Sequence, residues 1–227
     1  MISVRIFGTQ VKVKFTVLPI IIVLWGGLTW FGLYRHPERG FWQDLLVGLA
    51  TAILLLIVEY GHPLAHIFSA RYAKAPMDEI LIAGDMARTL YWNNDVSPNV
   101  HRMRAMGGPI FNLLGLLISL GIYEVVPDNS LARELAAWSA AGHGYLFMMS
   151  LLPLPIVDGG TILKWTLAAQ GKTEPEADEI IRRVDWAMGI VCGVVGLGLI
   201  AMKMWIAGAI LVGVGAVIMA IAAGKIR

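Results

Sequence analysis

The chain has 227 residues, of which 57% are hydrophobic and 15% are charged, and its formal net charge is +2. Soluble domains carry roughly 25% charged residues, so this composition argues against a soluble protein. The small net charge, with the basic residues outside the apolar runs, argues against a nucleic-acid partner. The single cysteine, Cys192, excludes an internal disulfide and a metal site built from cysteines.

The N-terminal segment, residues 1–14, alternates between apolar and polar side chains and is interrupted at Gly8-Thr9. This pattern predicts a short β-hairpin at the membrane surface. Six apolar runs follow, each near the roughly 20 residues that cross a hydrocarbon core. They predict transmembrane helices at 15–34, 42–70, 107–126, 135–152, 184–202 and 205–223.

Two interruptions separate these runs. The segment 71–106 is polar, with one strand-like piece at 79–83, and His101 within it is expected to face solvent. At 153–170, prolines and glycines break the helix inside an apolar stretch, and a short helix restarts after the break. The sequence therefore predicts one membrane domain over 1–227: an all-α membrane protein of about six transmembrane helices, with a small surface β-hairpin and an edge strand.

The C-terminal half of the second apolar run contains a glutamate and two histidines, Glu59, His62 and His66. Ionisable groups inside a span are costly unless they are paired, and they indicate a functional site by default. Their offsets of three and four place them on one stripe of a helix. Such a stripe either faces a metal ion or a water-filled cavity, or forms a hydrogen-bonded polar seam between helices.

A carboxylate on the helix break at 153–160 favours the metal-site interpretation of this stripe over the polar seam. Asp158 follows Pro153 and Pro155 and precedes Gly159-Gly160. Non-helical backbone at membrane depth is tolerated only where protein buries it or where it lines a cavity. Asp158 facing a histidine stripe has the composition of a metal site; alternatively, it only caps the helix that follows.

Three motifs in this order resemble the site-2 proteases, the intramembrane zinc metalloproteases, and above all their small bacterial branch. They are Val58-Glu59-Tyr60-Gly61-His62, then Gly108-Pro109-Ile110-Phe111-Asn112, then Pro153-Leu154-Pro155-Ile156-Val157-Asp158-Gly159. In that family the first is HExxH, the second is Gly-Pro followed by Asn, and the third ends in Asp-Gly. The resemblance covers roughly residues 4–165.

The resemblance implies a zinc ion held by the two HExxH histidines and the later aspartate, with the glutamate as general base. In the register above, Glu59 is the base and His62 and Asp158 are ligands, but Val58 stands at the first ligand position and has no lone pair. Two alternatives stay open. His62, His66 and Asp158 form a shifted ligand set, in which Pro63 occupies the glutamate position, or His143 supplies the missing nitrogen.

The resemblance also implies the binding partners: transmembrane or membrane-anchored polypeptide segments, together with lipid. An unwound segment is expected to add to the strand edge formed by Glu79, Ile80, Leu81 and Ile82, with Asn112 nearby. We expect a non-proteolytic or impaired homologue that binds such segments as a partner or assembly subunit. The alternatives are an active zinc endopeptidase with the shifted ligands and, third, a transporter that uses the Glu/His stripe as an ion path.

The distribution of lysine and arginine predicts the orientation. If all six spans cross, most basic residues fall on the side that holds the N-terminus, which is the cytoplasmic side by the positive-inside rule. Together with the resemblance, this predicts an integral protein of a bacterial inner membrane with both termini in the cytoplasm.

Overall fold

The computed structural model describes residues 1–84 and 87–225, and the chain forms two units. The first unit comprises Met1–Val96 and Met106–Met149, and the second comprises Ser97–Ala105 and Ser150–Arg227. In chain order the elements are β1 (Ile2–Ile6), β2 (Thr9–Val13), α1 (Val17–Arg35), α2 (Phe41–Tyr72), β3 (Glu79–Ile82), β4 (Arg88–Leu90), α3 (Pro98–Ala105), α4 (Gly107–Val125), α5 (Leu131–Ser150), α6 (Asp158–Ala169), α7 (Glu174–Ala201) and α8 (Trp205–Ala222).

The predicted fold class is confirmed: the protein is an all-α membrane protein with a small β-sheet. Within the described residues, five helical segments are long and apolar enough to cross a membrane: Val17–Arg35, Phe41–Tyr72, Pro98–Val125, Glu174–Ala201 and Trp205–Ala222. The sixth predicted span, 135–152, coincides with α5, which is helical but carries polar side chains such as Glu134 and His143 and is not among the five. Whether α5 crosses the bilayer stays a prediction.

The four strands form one sheet in the order β1-β2-β3-β4. The predicted hairpin is present, because β1 and β2 pair antiparallel around a turn in which Phe7 and Gly8 have φ of 47° and 89°. β3 pairs parallel with β2 and antiparallel with β4. The predicted strand at 79–83 therefore exists, but the expectation that it is an edge strand is wrong. The chain returns as the three-residue strand β4, which was too short to leave a periodic signal in the sequence.

The sheet packs on the C-terminal part of α2. Ile67 and Ala70 of the helix meet Val11, Ile80 and Ile82 of the sheet in a buried apolar cluster. Burial of this kind contributes roughly 25 cal/mol per Å² of apolar surface. The cluster fixes the rotation of α2 immediately after His66.

The second unit contains a helix that the sequence did not predict. α3 lies in the polar segment 71–106 and packs on α6. Its His101 is 8% exposed, and its ring stacks on Trp165 with centroids 3.7 Å apart. The expectation that His101 faces solvent is therefore wrong, because tertiary packing on an aromatic ring overrides the polar local sequence.

α7 begins ten residues before the predicted span at 184–202. Thr173 caps it, accepting a hydrogen bond from the Glu176 backbone N–H, while the Glu176 side chain accepts one from the Thr173 backbone N–H. This is a capping box, and Pro175 falls in the first turn where proline is tolerated. The polar segment 174–183 therefore forms the first turns of this helix.

Candidate metal centre

The histidine pair lies on one face of α2 in the first unit. His62 and His66 are one turn apart, their ring centroids are 5.1 Å apart, and the ring planes meet at 74°. Each ring offers a nitrogen, and these two atoms lie within 4.8 Å of each other. His66 is only 4% exposed. The two side chains can therefore donate to a single metal ion.

Two glycines allow α4 to approach this face closely. A Cβ on Gly108 would lie 2.3 Å from Nε2 of His62, and a Cβ on Gly107 would lie 2.8 Å from Cα of His66. Real Cβ contacts of this length do not occur. A larger residue at position 108 would displace the His62 imidazole, and one at position 107 would push α4 away from the α2 backbone at His66. The Gly-Gly-Pro start of α4 is the local sequence feature that makes room for the histidine pair.

Asn112 links the histidine of α2 to a histidine of α5. Its side chain is fully buried, its Nδ2 lies 2.7 Å from Nδ1 of His62, and its Oδ1 lies 3.0 Å from Nδ1 of His143. Sequence reasoning expected Asn112 beside a substrate, whereas in the structure its amide bridges two imidazoles. His143 is 7% exposed and bonded to Asn112, which favours a packing and orienting role over that of a missing zinc ligand.

Val58 is buried in the packing between α2 and α5. It is 2% exposed, and its Cγ1 lies 3.5 Å from the position of a Cβ on Gly142. Glu59, the next residue, has an exposed side chain, and no described residue donates a hydrogen bond to its carboxylate. The predicted stripe is thus divided: the two histidines lie inside the first unit and Glu59 lies at its surface.

Pro63 stands between the two histidines in the interior of α2. Proline has no backbone N–H, so the carbonyl of Glu59 loses its helical hydrogen-bond partner. Pro63 is buried and has no side-chain group that can accept or deliver a proton.

Asp158 is the first residue of α6 in the second unit, after the predicted break in the apolar stretch. The two residues that follow must be glycine, because a Cβ on Gly159 would lie 2.3 Å from the Leu151 carbonyl oxygen and one on Gly160 would lie 2.0 Å from that of Leu154. This tight turn holds the carboxylate at a helix N-terminus, where negative charge is favoured.

The predicted substrate strand is already paired. The backbone of Glu79, Ile80, Leu81 and Ile82 faces β2 on one side, and that of Glu79 to Leu81 faces β4 on the other. The Glu79 carboxylate accepts a hydrogen bond from Lys12 Nζ at 2.6 Å. Strand addition at 79–83 is therefore not available in this sheet, whose outer strands are β1 and β4.

The donor set of the first unit fits zinc. Zinc takes imidazole nitrogens, and its histidine ligands are usually oriented by a second hydrogen bond from the other ring nitrogen. Asn112 contacts Nδ1 of His62, and when its amide is turned so that the oxygen accepts from Nδ1–H, Nε2 is left as the ligating atom. Oxygen-selective cations such as Ca²⁺ and Mg²⁺ are poorly served by two imidazoles.

No protein-family model matches the sequence, and no curated protein matches it. Among solved structures, the fold is similar to that of the site-2 protease from Methanocaldococcus jannaschii, with a TM-score of 0.57 and 18% sequence identity. The match covers 100% of this chain and 95% of that chain. At this identity the likeness shows the fold alone: a membrane protein with a fold similar to that of a site-2 protease.

Proposed function

We propose that this protein binds zinc through His62, His66 and Asp158 and binds membrane-embedded polypeptide segments without cleaving them. The observation that supports the proposal is the histidine pair, whose ring nitrogens lie within 4.8 Å of each other. The residue that follows His62, where the family has its glutamate, is the buried Pro63. In this register the chain keeps the metal ligands of the site-2 protease pattern and lacks its glutamate.

The geometry of α2 supports this register over the one that begins at Val58. In the Val58 register the first ligand would be an aliphatic side chain packed toward α5, and His66 would have no role. In the His62 register both imidazoles belong to the motif, and Asn112 orients the first of them. We assign Asp158 as the third ligand because its proline-rich Asp-Gly segment resembles the third motif of the family.

Zinc bound here would lower the pKa of a coordinated water and polarise a carbonyl group. Peptide hydrolysis also needs a general base within hydrogen-bond reach, roughly 2.6–3.2 Å or one intervening water. The base position is Pro63, which holds no proton acceptor. Glu59 lies one turn before His62 with an exposed side chain, and we propose that it does not replace the missing base.

The ligand we propose is an extended segment of a transmembrane or membrane-anchored protein. Peptides bind sheet edges through main-chain hydrogen bonds, and within the described residues the outer strands are β1 and β4. We place the protein in a bacterial inner membrane on its resemblance to the small bacterial site-2 proteases. Both termini are placed in the cytoplasm on the charge distribution of its loops. It would act there as a partner or assembly subunit in contact with lipid.

Metal analysis of the full chain purified in detergent tests the site. We expect about one zinc ion per chain, with zinc lost in His62→Ala, His66→Ala and Asp158→Ala and retained in His36→Ala, which removes a loop histidine. Val58→His should not increase zinc content. Retention of zinc in His66→Ala would overturn the shifted ligand set.

A co-expressed membrane-anchored reporter tests the missing base. We expect no cleavage by the wild-type chain and capture of the reporter as an intact complex. Pro63→Glu, which completes an HExxH sequence, is the variant in which cleavage should first appear. Cleavage by the wild-type chain that stops in Glu59→Gln would instead establish the alternative, an active endopeptidase with a displaced base.

A further inference from the structure

A cavity of about 390 Å³ lies within the second unit. Three helices contribute to its walls. α6 presents Gly160, Thr161, Lys164 and Trp165, α7 presents Asp178, Ile181, Arg182 and Asp185, and residues 221–224 close the third side. The positions on α7 recur at intervals of three and four residues, so they form one face of that helix.

The cavity has an exposed mouth and a buried floor. Asp178 and Arg182 are exposed, whereas Ile181 is 3% exposed and Asp185 is completely buried. Asp185 lies seven residues beyond Asp178, or about 10 Å further along the helix axis. A ligand that enters past the mouth therefore meets Asp185 at the floor.

Asp185 has no partner among the described residues. Neither of its carboxylate oxygens receives a hydrogen bond, although both are buried. A buried carboxylate without a hydrogen bond or counter-charge costs several kcal/mol, and such groups in natural proteins usually have a partner. Asp185 also stands in a helix that is long and apolar enough to cross a membrane, and an ionisable group there indicates a functional site.

The cations at the mouth are already paired. Lys164 Nζ lies 2.9 Å from Asp178 and 3.2 Å from Glu174, and Arg182 lies 2.6 Å from Glu179. Burial by itself lowers the pKa of Lys164, but its hydrogen bonds to Asp178 and Glu174 raise that pKa above its ordinary value, so the amine stays charged. Asp185 is thus the carboxylate of this cavity that no described side chain compensates, and a group that pairs with it would carry positive charge.

The walls favour an organic cation over a metal ion. Ca²⁺ and Mg²⁺ take six or more oxygen ligands, whereas the floor offers one carboxylate and the hydroxyl of Thr161. Ile181, Ile221 and Ala222 suit an aliphatic stem, and Trp165 adds an aromatic side chain to the wall. The volume falls within the roughly 300–1,000 Å³ of small-molecule sites.

We infer that this cavity binds a guanidinium or ammonium group on a short aliphatic stem, with Asp185 as its counter-ion. A planar guanidinium pairs with both carboxylate oxygens at once, which satisfies the two orphaned acceptors. The group comes either from a free small amine or from the side chain of an arginine or lysine in a bound polypeptide. The inference rests on the residues of this cavity and requires neither zinc at the histidine pair nor strand addition at the sheet.

Isothermal titration of the full chain in nanodiscs tests this with n-butylguanidinium and with n-butylurea, its uncharged counterpart of similar shape. We expect saturable binding of the guanidinium, at least tenfold weaker binding of the urea, and loss of this preference in Asp185→Asn. Asp95→Asn, which removes an exposed carboxylate in the first unit, should bind like the wild-type chain. Equal binding of the two probes, or an unchanged preference in Asp185→Asn, would overturn the inference.

A second variant keeps the test decisive if Asp185→Asn does not fold. Ala222→Leu fills the cavity and leaves Asp185 in place, so it should abolish guanidinium binding; undiminished binding by this variant would count against the site. A blocked apolar peptide with one arginine, compared with its citrulline form, identifies the source of the group. Arginine-dependent binding of the peptide assigns a polypeptide side chain, and binding of n-butylguanidinium alone assigns a free amine.

Discussion

The Asn112 amide decides which nitrogen of His62 is available to a metal. For Nε2 to ligate, Nδ1 must carry the proton and donate it to a carbonyl oxygen. Rotating the Asn112 amide by a half-turn about its last side-chain bond exchanges its oxygen and nitrogen. The contacts with Nδ1 of His62 at 2.7 Å and with Nδ1 of His143 at 3.0 Å are both kept. His62 then donates to the amide oxygen, while the amide NH₂ donates to Nδ1 of His143. One buried side chain thus fixes the tautomers of two histidines.

Asn112→Leu should therefore weaken zinc binding without removing a ligand. Loss of an orienting partner typically costs ten- to a hundredfold in metal affinity, and competition with a chelator of known affinity would measure it. Ser119→Ala is the matched control, because it removes a buried hydrogen bond to Ser139 from the same helix, α4. Equal zinc affinity in Asn112→Leu and Ser119→Ala would refute an orienting role for Asn112.

Arg39 is the counter-charge of two acidic residues in the first unit. Its guanidinium donates to Glu134 at 2.7 Å and lies 3.7 Å from the Asp44 carboxylate, whose side chain is fully buried. Arg39→Met leaves both carboxylates without a counter-charge and should lower the free energy of unfolding by roughly 3–5 kcal/mol. Thermal unfolding in detergent would show this as a lowered Tm.

Two further variants separate charge compensation from packing at Arg39. Adding Asp44→Asn to Arg39→Met should recover part of the loss, because the stranded buried charge is then gone. Arg35→Met, an exposed change one turn earlier, should alter stability by less than about 0.5 kcal/mol. An equal Tm for the single and double variants would attribute the effect to lost contact area.

At the scale of elements, α7 and α8 are held together by glycines that face each other. A Cβ on Gly196 would lie 2.9 Å from the Gly208 carbonyl oxygen, and a Cβ on Gly208 would lie 2.6 Å from that of Gly196. Gly189 and Gly215 oppose each other in the same way two turns along. Helices in lipid associate through such close backbone contact, since no hydrophobic effect drives them together.

Gly196→Ala should force these backbones apart and lower stability by about 1–3 kcal/mol, the usual cost of overpacking. Gly198→Ala, on the same helix with open space around it, should be neutral or slightly stabilising because alanine favours helix. Thermal unfolding of both variants in one detergent makes the comparison. A larger loss in Gly198→Ala than in Gly196→Ala would contradict the packing described here.

The elements that the sequence predicted are those with a strong period of their own. Apolar runs located the long helices, and alternation located the hairpin. The sequence did not predict α3 and β4, because each is short and is stabilised by another element: α3 by α6, and β4 by β3.

At the metal centre, too, the sequence pattern alone was not sufficient. Positions 58, 62 and 66 are all one turn apart, so spacing alone left the ligand register open, and only side-chain packing favours His62 and His66.

For the whole molecule, the status of α5 determines the membrane topology. With six crossings, the loop at 171–173 lies on the N-terminal side of the membrane; with five, it lies on the opposite side. The positive-inside rule favours six, because Lys164, Lys172, Arg182 and Arg183 then fall in the cytoplasm. The polar side chains of α5 are tolerable in a span, since His143 is bonded to Asn112 and Ser139 to Ser119.

Single-cysteine labelling in intact cells would settle the topology, and the chain is suited to it because Cys192 is its one cysteine. In a Cys192→Ser background, Glu38→Cys and Asp128→Cys place thiols in the α1–α2 and α4–α5 loops, and Lys172→Cys places one before α7. We expect a membrane-impermeant maleimide to label positions 38 and 128 from outside and to reach position 172 only after the membrane is opened. Labelling of position 172 in intact cells would mean that α5 does not cross, and the C-terminal end of α8 would then lie outside the cytoplasm.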